Sequence, residues 1–154
     1  LPLIVWSIAL LQIYAFLGIN GSLGGLVLAH ATITLPFTVR IMIAAFEGID
    51  PNLDAAARSL GAPPLTAFRR VILPIAMPGV LTSAAFSFLV SFNDVIVSTF
   101  IAGSRYITFP VRLYSQLRSQ GVDPITLAIG AMIVGAILLL VILGELFFKW
   151  SKRI

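Results

Sequence analysis

Apolar runs long enough to cross a lipid bilayer dominate the sequence. Residues 1–19 and 124–144 carry no charged side chain, residues 23–46 carry only Arg40, and residues 75–101 carry only Asp94. A helix of about 20 residues rises about 30 Å, which matches the hydrocarbon core of a bilayer. The four runs therefore predict an all-α, polytopic membrane helical bundle with about four spans.

The composition excludes several other classes of protein. Hydrophobic residues make up 59% of the chain and charged residues only 10%, whereas soluble domains are about 25% charged. The net charge of +4 lacks the basic clusters interleaved with aromatic residues that bind nucleic acid. The sequence has no cysteine and a single histidine, His30. We therefore expect no nucleic-acid surface, no metal site and no catalytic residue.

Two polar stretches, residues 50–74 and 102–123, interrupt what we expect to be one transmembrane domain over residues 1–154. The chain begins without Met and directly in apolar sequence, which predicts an N-terminal truncation. With four spans, the first stretch and the C-terminus lie on one face of the membrane and the second stretch on the other. The first face has six basic residues and the second has three, which favours the first face as cytoplasmic. Phe109, Leu113 and Leu117 repeat at helical spacing, which predicts a short amphipathic helix at the interface in the second stretch.

The longest polar interruption, Asp50–Pro74, has the pattern of two short helices, and we call it the 50–74 segment. Asp50 is a preferred N-cap and Pro51 a preferred first helical residue. Gly61 fits the left-handed position that ends a helix, and we expect Pro74 to end the second helix and open the next span. Apolar residues follow helical spacing in two stripes: Leu53, Ala56, Ala57 and Leu60, then Leu65, Phe68 and Ile72. The segment is either a connector lying on the headgroups or a docking element for a partner, with Phe68 as its anchor.

The pattern of Ala56 and Ala57, then Gly61, then Leu73 and Pro74 resembles the EAA loop in the membrane permease subunits of binding-protein-dependent ABC importers. The family pattern is Glu-Ala-Ala, three residues, Gly, nine residues, and Ile-x-Leu-Pro. This chain has Ala55 in place of the Glu and Val71 in place of the Ile. Either Asp54, one position early, takes over the contact of the missing carboxylate, or coupling proceeds without it.

Further stretches are similar to the spermidine/putrescine-type permeases of that family. They are the Leu-Gly-Ile-Asn-Gly of residues 17–21, Ala29 and His30 with the Leu-Pro-Phe of residues 35–37, residues 73–78 and residues 91–100. The resemblance implies a MetI-like fold in the bacterial inner membrane, of which one or two N-terminal spans are missing. It places the 50–74 segment and the C-terminus in the cytoplasm. It also implies that the substrate is a polyamine or a related small solute.

The resemblance further implies that the 50–74 segment couples the chain to a cytoplasmic ATPase. The implied coupling residues are Asp54, Ala56, Ala57, Gly61, Ala62, Phe68, Leu73 and Pro74. The implied partners are an ABC ATPase dimer, a second permease subunit in a heterodimer, a periplasmic or lipid-anchored substrate-binding protein, and membrane lipid. No glycine-rich phosphate loop precedes a lysine in this sequence; ATP and Mg²⁺ are therefore expected on the ATPase, with no cofactor in this chain.

Asp94 is the one acid well inside a predicted span, where a carboxylate costs about 3 kcal/mol. Either it caps a helix or pairs locally near the outer interface, with a group such as Arg105, or it helps a cationic substrate to pass. Together with Asn93 it is our candidate for the substrate pathway. His30 is expected to form helix–helix hydrogen bonds and is given no role in transport.

Two other functions compete with that of an importer permease. A secondary transporter or channel would need no ATPase, but such proteins carry charged residues deeper in several spans. An intramembrane enzyme would need a thiol, a pair of histidines or a pair of buried carboxylates, none of which this sequence offers.

Overall fold

The structure, a computed structural model, describes residues 2–119, 121 and 123–148, with side chains as far as residue 139 and at Ile142. Seven helices and no strand occur in these residues, which confirms the predicted all-α class. The helices are α1 (Leu3–Phe16), α2 (Leu23–Glu47), α3 (Asn52–Ser59), α4 (Pro64–Phe92), α5 (Ile96–Ile101), α6 (Phe109–Ser119) and α7 (Pro124–Phe148).

Among the residues whose side chains the structure describes, two helices have the length and composition to cross a membrane. α2 has 25 residues and α4 has 29, and both are strongly apolar. The helix α1 and the Pro124–Leu139 part of α7 are apolar but shorter. Most large apolar side chains on α2 and α4 are exposed, among them Val27, Leu35 and Phe88, as expected of helices that face lipid or other membrane helices rather than water.

The chain comprises two compact units, Leu1–Tyr106 and Ile107–Ile154. In the first unit α2 and α4 pack side by side and antiparallel. Near the 50–74 segment Ala45 lies against Gly79. Further along, the Phe37 and Phe86 rings have centroids 5.7 Å apart. Small residues such as Ala45 and Gly79 let two membrane helices approach closely.

The buried core of the first unit lies where α1, α2 and α5 meet. Its members are Leu10 and Tyr14 from α1, Ala29 and Ile33 from α2, and Val97 and Ile101 from α5. Trp6, Ile19 and Phe100 pack against it. The short helix α5 is thus held by burial of its apolar side chains, because six residues alone do not form a stable helix.

The prediction that Pro74 ends a helix is wrong. Helix α4 begins at Pro64 and continues through Pro74 to Phe92. Just before Pro74 the helix widens into a π-turn over Phe68–Ile72, where the amide of Leu73 donates to the carbonyl of Phe68. A π-turn relieves the clash that a proline ring makes with the preceding turn. The second half of the 50–74 segment is therefore continuous with the span.

The prediction that residues 75–101 form one span is also wrong. The helix stops at Phe92, residues 93–95 are not helical, and the separate helix α5 follows. The break is stabilised by polar contacts that bring in residues distant in sequence, which are described below.

The second unit contains α6 and α7. The predicted amphipathic helix in the 102–123 stretch is confirmed as α6, and the guanidinium of Arg118 lies 5.4 Å from the centre of the Tyr114 ring one turn away. The two side chains form a cation–π contact near the C-terminal end of α6.

Candidate functional site

The first half of the 50–74 segment forms a helix with a defined start. The Asp50 carboxylate accepts a hydrogen bond of 2.9 Å from the amide of Asn52, and the amide of Leu53 donates to the Asp50 carbonyl. Asp50 therefore satisfies amides that α3 would otherwise leave unpaired. The sequence predicted Asp50 as the N-cap and Pro51 as the first helical residue. In the structure α3 begins one residue later, at Asn52 with Pro51 as its N-cap, and Asp50 pairs the first amides from the position before.

The end of α3 is fixed by Gly61. Its φ of +86° lies in the left-handed region, as predicted. Its amide donates to the Arg58 carbonyl at 2.9 Å, and the amide of Ala62 donates to the Ala57 carbonyl at 3.1 Å. These two bonds form the Schellman motif, which stops a helix and reverses the chain. A Cβ at Gly61 would meet no atom within 4 Å, so the backbone conformation alone favours glycine here.

The two halves of the segment leave large apolar side chains uncovered. Leu60 is 90% exposed, Leu65 66% and Phe68 42%, while Leu53 is also exposed. We call these four residues the apolar surface of the segment. The polar side chains around it distinguish it from the lipid-facing parts of α2 and α4. Exposed large apolar side chains among polar ones are typical of a segment that binds another protein.

The remaining predicted coupling residues take different positions in the segment. Asp54 pairs with Arg58 one turn along α3 at 3.8 Å, a surface contact that contributes about 0.3–0.5 kcal/mol. Ala56 and Pro74 are exposed, while Ala57, Ala62 and Leu73 are half-buried. These placements leave the coupling role of each residue a prediction.

The candidate pathway residues lie at the break between α4 and α5. Asp94 is only 7% exposed. One of its carboxylate oxygens accepts from the amide of Val97 at 3.1 Å, and the other from the amide of Ser98 at 2.8 Å. Asp94 thus caps α5, in agreement with one of the two alternatives left open by the sequence. The side chain of Asn93 is exposed and donates to the Leu89 carbonyl at 3.0 Å.

His30 of α2 reaches both sides of this break. Its Nδ1 lies 2.8 Å from the Ser91 hydroxyl in the last turn of α4. Its Nε2 lies 3.0 Å from the Ser98 hydroxyl in the first turn of α5 and 4.0 Å from an Asp94 carboxylate oxygen. The expectation that His30 forms helix–helix hydrogen bonds is confirmed.

Two of these polar residues, Ser91 and Ser98, were not singled out in the sequence. They lie seven residues apart on either side of Asn93 and Asp94. Four polar residues within eight positions of an otherwise apolar run were a signal that the run is interrupted there. The partner, His30, is about 60 residues away and could not be assigned from spacing.

Comparison with known proteins identifies the family. The family described as "binding-protein-dependent transport system inner membrane component" matches residues 1–153. The spermidine/putrescine transport system permease protein PotC of Haemophilus influenzae is 35% identical over 152 residues, 99% of this chain and 59% of that protein.

Two other relatives show how widely the similarity extends. PotC of Escherichia coli K12 is 37% identical over 148 residues, 96% of this chain and 56% of that protein. A probable molybdenum ABC transporter permease of Haloferax volcanii is 37% identical over 126 residues, 80% of this chain and 46% of that protein.

The chain spans less than two thirds of the length of these curated relatives, 59% of the first and 46% of the last. The family match, in contrast, covers nearly every residue of the chain, including both compact units. The chain therefore belongs to the family of inner membrane components of binding-protein-dependent transport systems.

Proposed function

We propose that the chain is part of a transmembrane permease subunit of an ATP-driven ABC importer, in which it forms the substrate pathway and couples to a cytoplasmic ATPase. The observation that carries this proposal is the apolar surface of the 50–74 segment, formed by Leu53, Leu60, Leu65 and Phe68. The surface stands on a helix with a fixed start and a fixed end, and its second half is continuous with α4. An exposed anchor on a helix that continues into a span suits the transmission of movement from one subunit to another.

The proposed assembly follows from the family. The ATPase is a dimer that binds ATP and Mg²⁺, so this chain needs no cofactor of its own. A second, non-identical permease subunit completes the pathway, and a periplasmic or lipid-anchored binding protein delivers the substrate. Both compact units belong to one permease domain in this proposal, which the match over residues 1–153 supports.

The proposal is tested by placing a charge on the apolar surface. Phe68→Asp should abolish co-purification of the full-length permease with the ATPase subunit of its transport system, because a carboxylate would have to enter an apolar pocket without a partner. Membrane insertion and yield should be unchanged, since Phe68 is already 42% exposed.

Leu117→Asp is the matched control. Leu117 is an exposed leucine, at 62%, on α6 and outside the 50–74 segment. The ATPase should remain bound to this variant. Retention of the ATPase by Phe68→Asp, or its equal loss in both variants, would contradict docking at the apolar surface.

The break between α4 and α5 is our proposed part of the substrate pathway, with Asn93 and Asp94 as its residues. Transporters commonly place their binding sites where membrane helices are interrupted. A carboxylate at such a place favours a cation, and two of the relatives named above are permeases of spermidine/putrescine systems. We therefore propose a polyamine as the substrate.

Uptake of labelled spermidine by the reconstituted complex tests the pathway and the substrate together. Asp94→Asn should lower the rate about tenfold through loss of an ionic attraction of about 1.4 kcal/mol. Asn has one acceptor oxygen where Asp94 uses two, so the variant keeps only one of the bonds to the amides of Val97 and Ser98. The melting temperature of the variant complex is therefore measured beside uptake, and a loss of uptake counts only where the complex still assembles. An excess of molybdate should not compete. Wild-type uptake by Asp94→Asn would remove Asp94 from the pathway, and competition by molybdate would point to an anion as the substrate.

The proposed orientation has the 50–74 segment in the cytoplasm. Its arginines are Arg58, Arg69 and Arg70, and those of residues 102–123 are Arg105, Arg112 and Arg118. Lys149, Lys152 and Arg153, which add to the first group, lie outside the described residues. The excess of basic residues near the first group supports the orientation through the preference of such residues for the cytoplasmic side.

A further inference from the structure

Local hydrogen bonds pair several backbone groups at the break between α4 and α5. The amide of Asn93 donates to the Leu89 carbonyl and the amide of Asp94 to the Ser91 carbonyl. Asp94 in turn accepts from the amides of Val97 and Ser98. Inside a membrane an irregular backbone is tolerated only when its polar groups are satisfied in this way. These local bonds do not by themselves fix the angle between α4 and α5.

One side chain from a third helix spans the break. The imidazole of His30 contacts the Ser91 hydroxyl of α4 at 2.8 Å and the Ser98 hydroxyl of α5 at 3.0 Å. Neutral imidazole has one donor and one acceptor nitrogen, and a serine hydroxyl can serve either. Both tautomers of His30 therefore satisfy both contacts.

A second polar contact between α2 and α4 does not cross the break. The hydroxyls of Thr38 and Ser87 lie 2.6 Å apart, about two turns of α2 away from His30. This pair joins the same two helices, but it has no bond to α5. It therefore serves as a control that separates the joining of α2 to α4 from the joining of both helices to α5.

We propose that His30 is a positioning residue of the substrate pathway. By holding Ser91 and Ser98 at once, it fixes the angle of α5 against α4 and with it the position of Asp94, which accepts from the first amides of α5. The proposal rests on the proposed function of the break as part of the pathway. His30 does not contact the substrate in this proposal and acts through the two serines.

We call the two contacts of His30 with Ser91 and Ser98 the bridge. The bridge is tested by ¹⁵N spectroscopy of histidine-labelled, full-length protein in its complex, with His30→Gln used to assign the His30 signals. Ser91→Ala should shift the Nδ1 resonance and Ser98→Ala the Nε2 resonance, because each loses one hydrogen bond. Thr38→Val should shift neither. Unchanged resonances in both serine variants would overturn the bridge, whatever the complex transports.

Uptake by the reconstituted complex tests the role in the pathway. The Ser91→Ala, Ser98→Ala double variant should lower the uptake rate about tenfold, the factor supplied by two interhelical hydrogen bonds of average strength in a membrane. His30→Ala should do the same, and His30→Gln, whose amide can still reach a serine, should lie between it and the wild type. Thr38→Val should transport normally.

The outcomes separate the bridge from the proposed function. Wild-type uptake by the double serine variant, or an equal loss in Thr38→Val, would overturn the positioning role. If the His30→Ala complex fails to assemble, the positioning role is judged from the double serine variant alone, since that variant keeps the imidazole. A wild-type complex that takes up no spermidine would instead contradict the proposed substrate, and the resonance shifts would still report the bridge.

Discussion

Gly48 and Gly61 flank α3, and their backbones differ although the residue type is the same. Gly48 has φ −76° and ψ −5°, which any residue adopts, whereas Gly61 has φ +86°. A Cβ at Gly48 would meet the carbonyls of Ala44 and Ala45 at 3.8 Å, an ordinary contact, and one at Gly61 would meet no atom within 4 Å. Only Gly61 is therefore constrained, and the constraint is conformational.

Gly61→Val should uncouple ATP hydrolysis from transport. A non-glycine residue in the left-handed region costs about 1–2 kcal/mol, and a β-branched one more, so the reversal of the chain after α3 should be lost. The measurement is substrate-stimulated ATPase activity of the reconstituted complex, with Gly48→Ala as the control expected to behave as wild type. Normal stimulation in Gly61→Val would count against the coupling role of this turn.

The roles of Asp50 and Gly61 could be predicted because they depend on neighbours within a few residues. The role of Asp94 could not, because spacing alone left a cap, a local pair and a pathway residue equally open. The local pair suggested for it was Arg105, whereas the basic group beside it in the structure is His30 at 4.0 Å. That contact depends on how α2 packs against the break, which no local pattern encodes.

At the scale of elements, the antiparallel helices α2 and α4 approach closely at Gly79, near the 50–74 segment. A Cβ built on Gly79 would overlap the Cβ of Ala45. Nothing at this site can give way easily, because the opposing group is a methyl attached directly to the α2 backbone. The close approach of the two helices therefore depends on a glycine at position 79.

Gly79→Ala should lower the stability of the protein by about 1–3 kcal/mol through overpacking. Thermal unfolding of the full-length protein in detergent measures the effect, and adding Ala45→Gly to the same chain should recover most of it. Gly24→Ala is the control, because a Cβ there meets no atom within 4 Å, and it should be neutral or slightly stabilising. Equal melting temperatures for Gly79→Ala and the wild type would show that the helices are further apart than described.

The elements that the sequence predicted well are those with strong local signals. Helix α3 has its N-cap and its C-terminal glycine, and α6 has its apolar repeat. The start of α4 was misplaced because Pro74 is normally a helix boundary, and the π-turn before it accommodates the ring. The end of α4 was missed because hydropathy does not distinguish one long span from two helices joined by a short non-helical stretch.

At the scale of the whole molecule, the orientation in the membrane can be tested directly. This sequence contains no cysteine, and Ser59 and Ser104 are both exposed. In spheroplasts, Ser104→Cys should react with a membrane-impermeant maleimide and Ser59→Cys should react only after lysis. The unsubstituted full-length protein is the blank. The reverse pattern would place the 50–74 segment outside the cytoplasm and exclude its docking to an ATPase.

The continuity of α4 through Pro74 has a mechanical consequence. Its 29 residues are about 43 Å long, about 13 Å more than the hydrocarbon layer is thick. The π-turn at Phe68–Ile72 divides this rod into a short arm, which carries Leu65, and a long arm of about 30 Å, which ends next to Asn93. A tilt of the long arm by about 10° about that turn would carry its far end about 5 Å sideways. A shift of about 1 Å near Leu65 on the short arm would thus be amplified several-fold at the break.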